Sequence, residues 1–260
     1  MMAEFVRYEK HDRVAYVTLN RPEVMNALHP PLNAELEAVW TDFMADDGLW
    51  VAILTGAGER AFCAGSDLKY RVAEADEQEL RRPNLGRSHV LDTCWKPIIA
   101  AVNGYAVGGG LELALHCDII VAADHARFGL PEARRGLLAD AGGVVNLPRR
   151  IPYHLAMSLL LTGRLIPAQE AYRYGLVNEV VAQADLMPAA ARWAEEILAC
   201  GPLAVQAAKQ AVVKTLELPA EQAVNLLESL SAVRRLRESE DYVEGPRAFA
   251  EKRPPVWKGR

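Results

Sequence analysis

The chain has 260 residues, 51% of them hydrophobic and 24% charged, with a formal net charge of −5. That length suits one large domain, or a domain with a small appendage, and is enough to bury a sizeable core. The weakly acidic balance argues against a nucleic-acid partner, which asks for a basic face, and no run of about eighteen apolar residues asks for a membrane.

The first ten residues carry Glu4, Arg7, Glu9 and Lys10 and no apolar stretch of a secretory signal, so a cytoplasmic protein is expected. Residues 14–19 (VAYVTL) are β-branched and aromatic and predict a strand, broken by Arg21-Pro22. Residues 32–43 place Leu32, Leu36, Val39, Trp40 and Phe43 at helical spacing, and Asp46-Asp47-Gly48 ends that helix. Residues 50–54 (WVAIL) are continuously apolar, as in a strand covered on both faces. Residues 97–102 and 119–123 read as further strands and 111–116 as a helix between them, an alternation that implies crossover units. Helices are predicted over 155–161, 168–174, 186–198, 203–216 and 220–236, with one more strand over 176–181 and an extended arm over 245–260. The organisation is therefore an α/β core over residues 1–195 and a helical region over 196–260, of a kind that often serves oligomerisation.

Cys63, Cys94, Cys117 and Cys200 form no C-x-x-C pair, so zinc and redox motifs are not indicated and the thiols fit a reduced compartment. Three other segments carry candidate chemistry. Residues 61–69 (AFCAGSDLK) follow a buried strand, and their small side chains let a ligand reach the main chain. The plainer reading is a strand-to-helix turn with Ser66 or Asp67 as the helix cap. Gly108-Gly109-Gly110 leads into a predicted helix with Glu112 in its first turn. Unpaired N–H groups at such a start can polarise a carbonyl; a glutamate favouring the helix dipole is the simpler account. The spacing is neither G-x-G-x-x-G nor a phosphate-binding P-loop. Glu132 follows Pro131, and Asp140, Gly142 and Gly143 come soon after.

Taken together these segments say more. Two loops can each give one N–H to the same carbonyl oxygen, which stabilises the enolate-like form of a thioester. Two carboxyls in different surroundings can divide the acid and base roles of adding water to the neighbouring double bond.

The residues resemble the crotonase (enoyl-CoA hydratase/isomerase) superfamily over nearly the whole chain. The likeness lies in Asn20-Arg21-Pro22, Asn26-Ala27-Leu28, residues 61–69, Lys96-Pro97 through Asn103-Gly104-Tyr105 to the glycine triplet, Cys117-Asp118, residues 128–132, Leu161-Thr162-Gly163 and Gly175-Leu176-Val177. The tail 244–260 and Ala139-Asp140-Ala141-Gly142-Gly143 look most like the carnitinyl-CoA dehydratase (crotonobetainyl-CoA hydratase) branch. The resemblance implies a spiral of ββα units with a C-terminal helical trimerisation region, assembled as a homotrimer or dimer of trimers. It implies an oxyanion hole from the N–H groups of Ser66 and Gly109, with Glu112 and Glu132 as the hydratase pair. Coenzyme A, as part of the substrate, is expected along Ala27, Ala64, Asp67, Leu68 and Lys69, its phosphates met by Arg21, Lys69, Lys252 and Lys258. No metal and no separate cofactor is implied.

One departure stands out. Ala139-Asp140 replaces the usual Pro-Gly, so Asp140 adds a third carboxyl. A matching aspartate is an acid/base in dienoyl-CoA isomerases and the nucleophile in an aryl-CoA dehalogenase branch. The expected reaction is reversible hydration of a 2-enoyl-CoA. An isomerase using Glu132 or Asp140, and a non-catalytic acyl-CoA-binding scaffold, are the alternatives. Walls of the acyl pocket are expected from Met25, residues 70–74, residues 81–91 and Val144-Val145.

Overall fold

The computed structural model describes residues 4–74 and 89–260. Strand β1 (Val6–His11) pairs antiparallel with β2 (Val14–Leu19) through a tight turn in which Asp12 takes a positive φ of 51°. Strands β3 (Val51–Gly56), β5 (Ile98–Val102), β7 (Ile119–Ala123) and β10 (Glu179–Val181) then run parallel to β2, in the order β1-β2-β3-β5-β7-β10.

The continuous apolar runs of these strands have a direct cause: both faces are covered. On one face Ala52, Leu54, Ala100, Val102 and Ala122 meet helix α1 (Pro30–Ala45) through Leu32, Leu36, Val39, Trp40 and Phe43. On the other, Val51, Ile53, Ile99, Ala101, Val121 and Ala123 pack against Leu186, Ala189, Ala190 and Ala194 of a later helix (Leu186–Leu198). A strand buried on both sides gains from apolar residues at every position.

After β3, β5 and β7 the chain turns into three short strands of a second sheet, β4 (Ala61–Cys63), β6 (Tyr105–Val107) and β8 (Arg127–Gly129). They lie parallel, with β9 (Ile166–Pro167) antiparallel at the edge. Two of them are followed by helices, α2 (Leu68–Glu74) and α3 (Gly109–Leu115), and β8 by a 3-10 turn (Glu132–Arg135) and α4 (Gly143–Arg150). This is the repeated ββα unit that the resemblance implies.

Helices α5 (Tyr153–Thr162) and α6 (Ala168–Arg173) lead to α7 (Leu186–Leu198), which closes the sheet. The expected boundary at 195/196 falls inside α7. Beyond it come α8 (Pro202–Thr215), α9 (Ala220–Leu226), α10 (Ser231–Glu238) and α11 (Glu240–Ala250).

Two expectations here are corrected. The helix predicted over 220–236 is broken at Leu230, where the backbone is extended, because Gln210 Oε1 of α8 takes the Ala232 N–H at 2.8 Å and starts α10 afresh. The arm predicted from residue 245 remains helical to Ala250 despite Pro246. Its cap is Ser239, which accepts from the Tyr242 N–H at 3.1 Å. Gly245 leaves room for the Trp257 ring as the tail folds back. Among the described residues no helix is long and apolar enough to cross a membrane.

Candidate active site

The site lies where β4, β6 and β8 end. Past Cys63 the Ala64 N–H donates to Met25 O at 3.0 Å. The loop then bridges the segment 26–28: Leu28 N–H donates to Gly65 O, and Asp67 N–H to Leu28 O, both at 2.8 Å. In a parallel bridge of this form the intervening residue turns its own N–H the other way. Ser66 is that residue, and among the described residues its N–H finds no acceptor.

The second donor comes from β6. Gly108, at φ 58°, gives its N–H to Gly129 O at 2.9 Å and starts α3. Gly109 is then the first helical residue, whose N–H has no intrahelical partner, and it finds none elsewhere among the described residues. The two N–H groups are neighbours: a Cβ added to Gly109 would sit 3.7 Å from Ser66 N, and one added to Gly65 would sit 2.9 Å from Gly109 N. A side chain at Gly110 would lie 2.0 Å from Cys63 O, so glycine there lets α3 press onto the end of β4.

Glu112 stands one turn into α3, 4% exposed. Its Oε1 accepts the Gly143 N–H at 2.8 Å. Burial pushes its pKa up to about 7, against the Gly143 N–H, with Glu132 and Asp140 adding repulsion. Glu132 opens the 3-10 turn after β8. Its Oε2 is shielded from solvent and has no partner among the described residues. Its Oε1 lies 3.0 Å from where a Gly108 Cβ would be. Burial raises the pKa of this carboxyl as well, and Asp140 adds to the rise. Asp140 itself is exposed on the loop between Glu132 and α4. The structure thus brings Ser66, Gly109, Glu112 and Glu132 to one place, with Asp140 at its edge.

The expected coenzyme-binding residues divide. Ala27, Ala64, Asp67, Leu68 and Lys69 line the loop that carries Ser66 into α2, where Lys69 is exposed. Asp67 also fulfils the plainer reading, since its Oδ1 caps α2 by accepting the Tyr70 N–H at 3.1 Å. Arg21 is turned inward. Its guanidinium donates to Ala27 O at 2.7 Å and pairs with Asp67 at 3.1 Å, which fastens the 26–28 segment to the loop rather than presenting a free cation. Lys252 is exposed at the end of α11. Lys258 Nζ is spent on Glu240 at 2.5 Å. The tail around it packs at the entry to β3, where Gly259 meets the Trp50 ring. Within the chain these two lysines are fixed by the C-terminal region and not by the site elements.

Of the expected acyl-pocket walls, Met25 lines a separate shallow groove with Arg60, Tyr105 and His125, at the starting ends of β4, β6 and β8. Tyr70 packs edge-on against His29, with ring centroids 5.4 Å apart. Val144 is half buried against the core and Val145 is exposed. Residues 81–88 of the expected wall lie outside the described residues. No cluster of His, Cys, Asp and Glu suited to a metal ion occurs among the described residues.

Sequence reasoning missed three contributors. His116 Nδ1 sits 2.7 Å from Glu112 O, and its ring lies under Gly142. Asn26 and Asn103 are buried and hold the turn that leads into β4. Asn103-Gly104 reads in sequence as a turn, which hides the role of the Asn103 side chain.

Known proteins bear on this geometry. The family model described as enoyl-CoA hydratase/isomerase matches residues 9–260. The chain is 46% identical over 257 residues to an (E)-benzylidenesuccinyl-CoA hydratase of Thauera aromatica, covering 98% of this chain and 99% of that one. It is 43% identical over 263 residues to a carnitinyl-CoA dehydratase of Citrobacter koseri, covering 100% of both. Among solved structures, an enoyl-CoA hydratase from Bacillus anthracis superposes with a TM-score of 0.91 at 38% identity, over 99% of this chain and 100% of that one. One from Mycobacterium tuberculosis gives 0.88 at 41%, over 98% and 99%. The chain belongs to the enoyl-CoA hydratase/isomerase family, the crotonases.

Proposed function

We propose that this protein adds water reversibly across the double bond of a 2-enoyl-CoA thioester. The observation that carries this reading is the meeting of two N–H groups without a partner among the described residues, Ser66 and Gly109, with the buried Glu112 and the half-buried Glu132, whose Oε2 is shielded from solvent. The N–H pair receives the thioester oxygen as it gains charge. Glu112, held by Gly143, orients the water and takes its proton; Glu132 delivers a proton to the α-carbon. In the reverse direction the roles exchange. Coenzyme A enters along residues 64–69 as part of the substrate, and no metal or separate cofactor takes part.

The acyl group follows the relatives' names: a crotonobetainyl- or benzylidenesuccinyl-type thioester is the first class to try. The working unit is a homotrimer or a dimer of trimers, assembled through the C-terminal helices, where Val212, Val213, Val224 and Phe249 are exposed. A cytoplasmic setting fits.

Isomerisation is the second reading, favoured by the third carboxyl, Asp140, which stands on the loop between Glu132 and α4 at the edge of the site. The test is the absorbance of the conjugated enoyl-thioester band with crotonyl-CoA and crotonobetainyl-CoA. Loss of the band with wild type, but not with Glu112→Gln or Glu132→Gln, supports hydration. A band that forms from a 3-enoyl-CoA but is never consumed supports isomerisation instead.

A further inference from the structure

The two N–H groups come from different chain segments. Ser66 follows β4 and Gly109 follows β6, so their spacing depends on how β4 and β6 are set against each other. Their pairing is irregular: Ala61 faces Tyr105 and Cys63 faces Ala106, a shift of register within three residues. Something besides the ladder must fix it.

Asn103 is placed to do so. It sits in the turn between β5 and β6, six residues before Gly109, and is 3% exposed. Its side chain reaches across to the turn between β3 and β4. The two Nδ2 hydrogens go to Gly58 O at 2.6 Å and Gly56 O at 2.8 Å, and one of them is shared with Ala61 O at 3.3 Å. Oδ1 accepts the Gly56 N–H at 3.2 Å. Asn26, fully buried, grips the same Ala61 O from its Nδ2 at 2.8 Å and holds Ala57 O at 3.0 Å. Asn26 lies two residues before Leu28, the partner of the Ser66 bridge. A backbone oxygen five residues before one donor is thus tied to a side chain six residues before the other. Buried amides with this many bonds define a single arrangement, because each lost bond leaves a dry polar group.

We propose that Asn103, assisted by Asn26, is a positioning residue that sets the separation of the Ser66 and Gly109 N–H groups. The inference rests on the assignment of those groups as the thioester donors. A misplacement of about 1 Å at such a site can cost about 100-fold in rate.

The readout is a push–pull enoyl thioester, 4-(dimethylamino)cinnamoyl-CoA, whose absorption band moves to longer wavelength when its carbonyl is strongly hydrogen-bonded. Wild type is expected to shift the band on binding. Asn103→Ala is expected to bind within about fivefold of wild type, to give less than about half the shift, and to lower kcat about 100-fold with KM within about threefold. Leu186→Ala, a core truncation on the other face of the sheet, should lower Tm and keep the full shift. A full shift and a kcat within about threefold for Asn103→Ala would overturn the proposal and leave Asn103 as a fold anchor. If that variant does not fold, Asn26→Ala must lose part of the shift, and full retention there overturns the proposal equally. No shift with wild type would overturn the donor assignment, and this inference with it.

Discussion

Glu112 and Glu132 meet at one site, but the regions that hold them differ. Glu112 lies on a helix packed into the core, and one of its oxygens is taken by the Gly143 N–H. Glu132 stands on a short turn, followed by exposed Leu137 and Leu138, and its Oε2 is dry and unpartnered among the described residues. The contrast teaches how one scaffold separates two like groups. A carboxyl whose oxygen is already bonded is held in direction and suits orienting a water. A buried carboxyl with an open oxygen suits carrying a proton, and an unsatisfied buried group in a native fold calls for such an explanation.

The comparison can be broken in order of expected effect. Glu132→Gln should lower the hydration rate about 10³-fold, within the range of general acid–base catalysis, and should leave Tm close to wild type, since Oε2 has no partner to lose among the described residues. Gly108→Ala puts a methyl 3.0 Å from Glu132 Oε1 at a positive φ of 58°. It should cost roughly 100-fold in kcat and lower Tm, because non-glycine residues are strained there. Steady-state kinetics and a thermal melt check both variants.

A pH profile sharpens the difference. Glu112 has its pKa pushed up to about 7 by burial, so kcat/KM should fall about tenfold per pH unit below that value as the water-orienting carboxylate is lost. The sign for stability is the opposite of the usual carboxylate case. The folded chain holds an extra proton between the ordinary 4.5 and about 7, so the Glu112 contribution falls as pH rises through that window. Glu112→Gln stays neutral and can still accept from Gly143. It should melt higher than wild type at pH 8 and level with it at pH 4.

The smallest effect is expected in the tail. Lys258→Ala removes an exposed ion pair with Glu240. If a neighbouring subunit's coenzyme phosphates meet this lysine, KM for a CoA thioester should rise about threefold, the scale of an exposed pair, while KM for the pantetheine thioester stays unchanged.

What the sequence revealed and what it hid follow from element length and burial. Helix α1 was legible because five apolar residues repeat at helical spacing and all five are buried. Strands β2, β3, β5 and β7 were legible as apolar runs. Strands β4, β6 and β8 were not, since three residues each are too few to show a period. β1 was missed because Lys10, on the same face as Val6 and Tyr8, is charged and breaks the alternation, pairing instead with Asp42 of α1. The break at Leu230 depends on Gln210, a contact from another helix that no local pattern displays. At the site, the glycines and both glutamates were legible as residue types in a pattern. The asparagine clamp and the inward turn of Arg21 were not, because the clamp is fixed by carbonyls distant in sequence and Arg21 by the Asp67 carboxylate on another loop.

The most direct test of the division between the glutamates separates proton transfer from water addition. Butyryl-CoA has no double bond, so exchange of its α-proton with D2O, followed by NMR, needs the oxyanion pair and a proton carrier but no attacking water. The account predicts exchange with wild type and with Glu112→Gln, and loss of exchange with Glu132→Gln. Exchange at the wild-type rate with Glu132→Gln, or its loss only with Glu112→Gln, would contradict it.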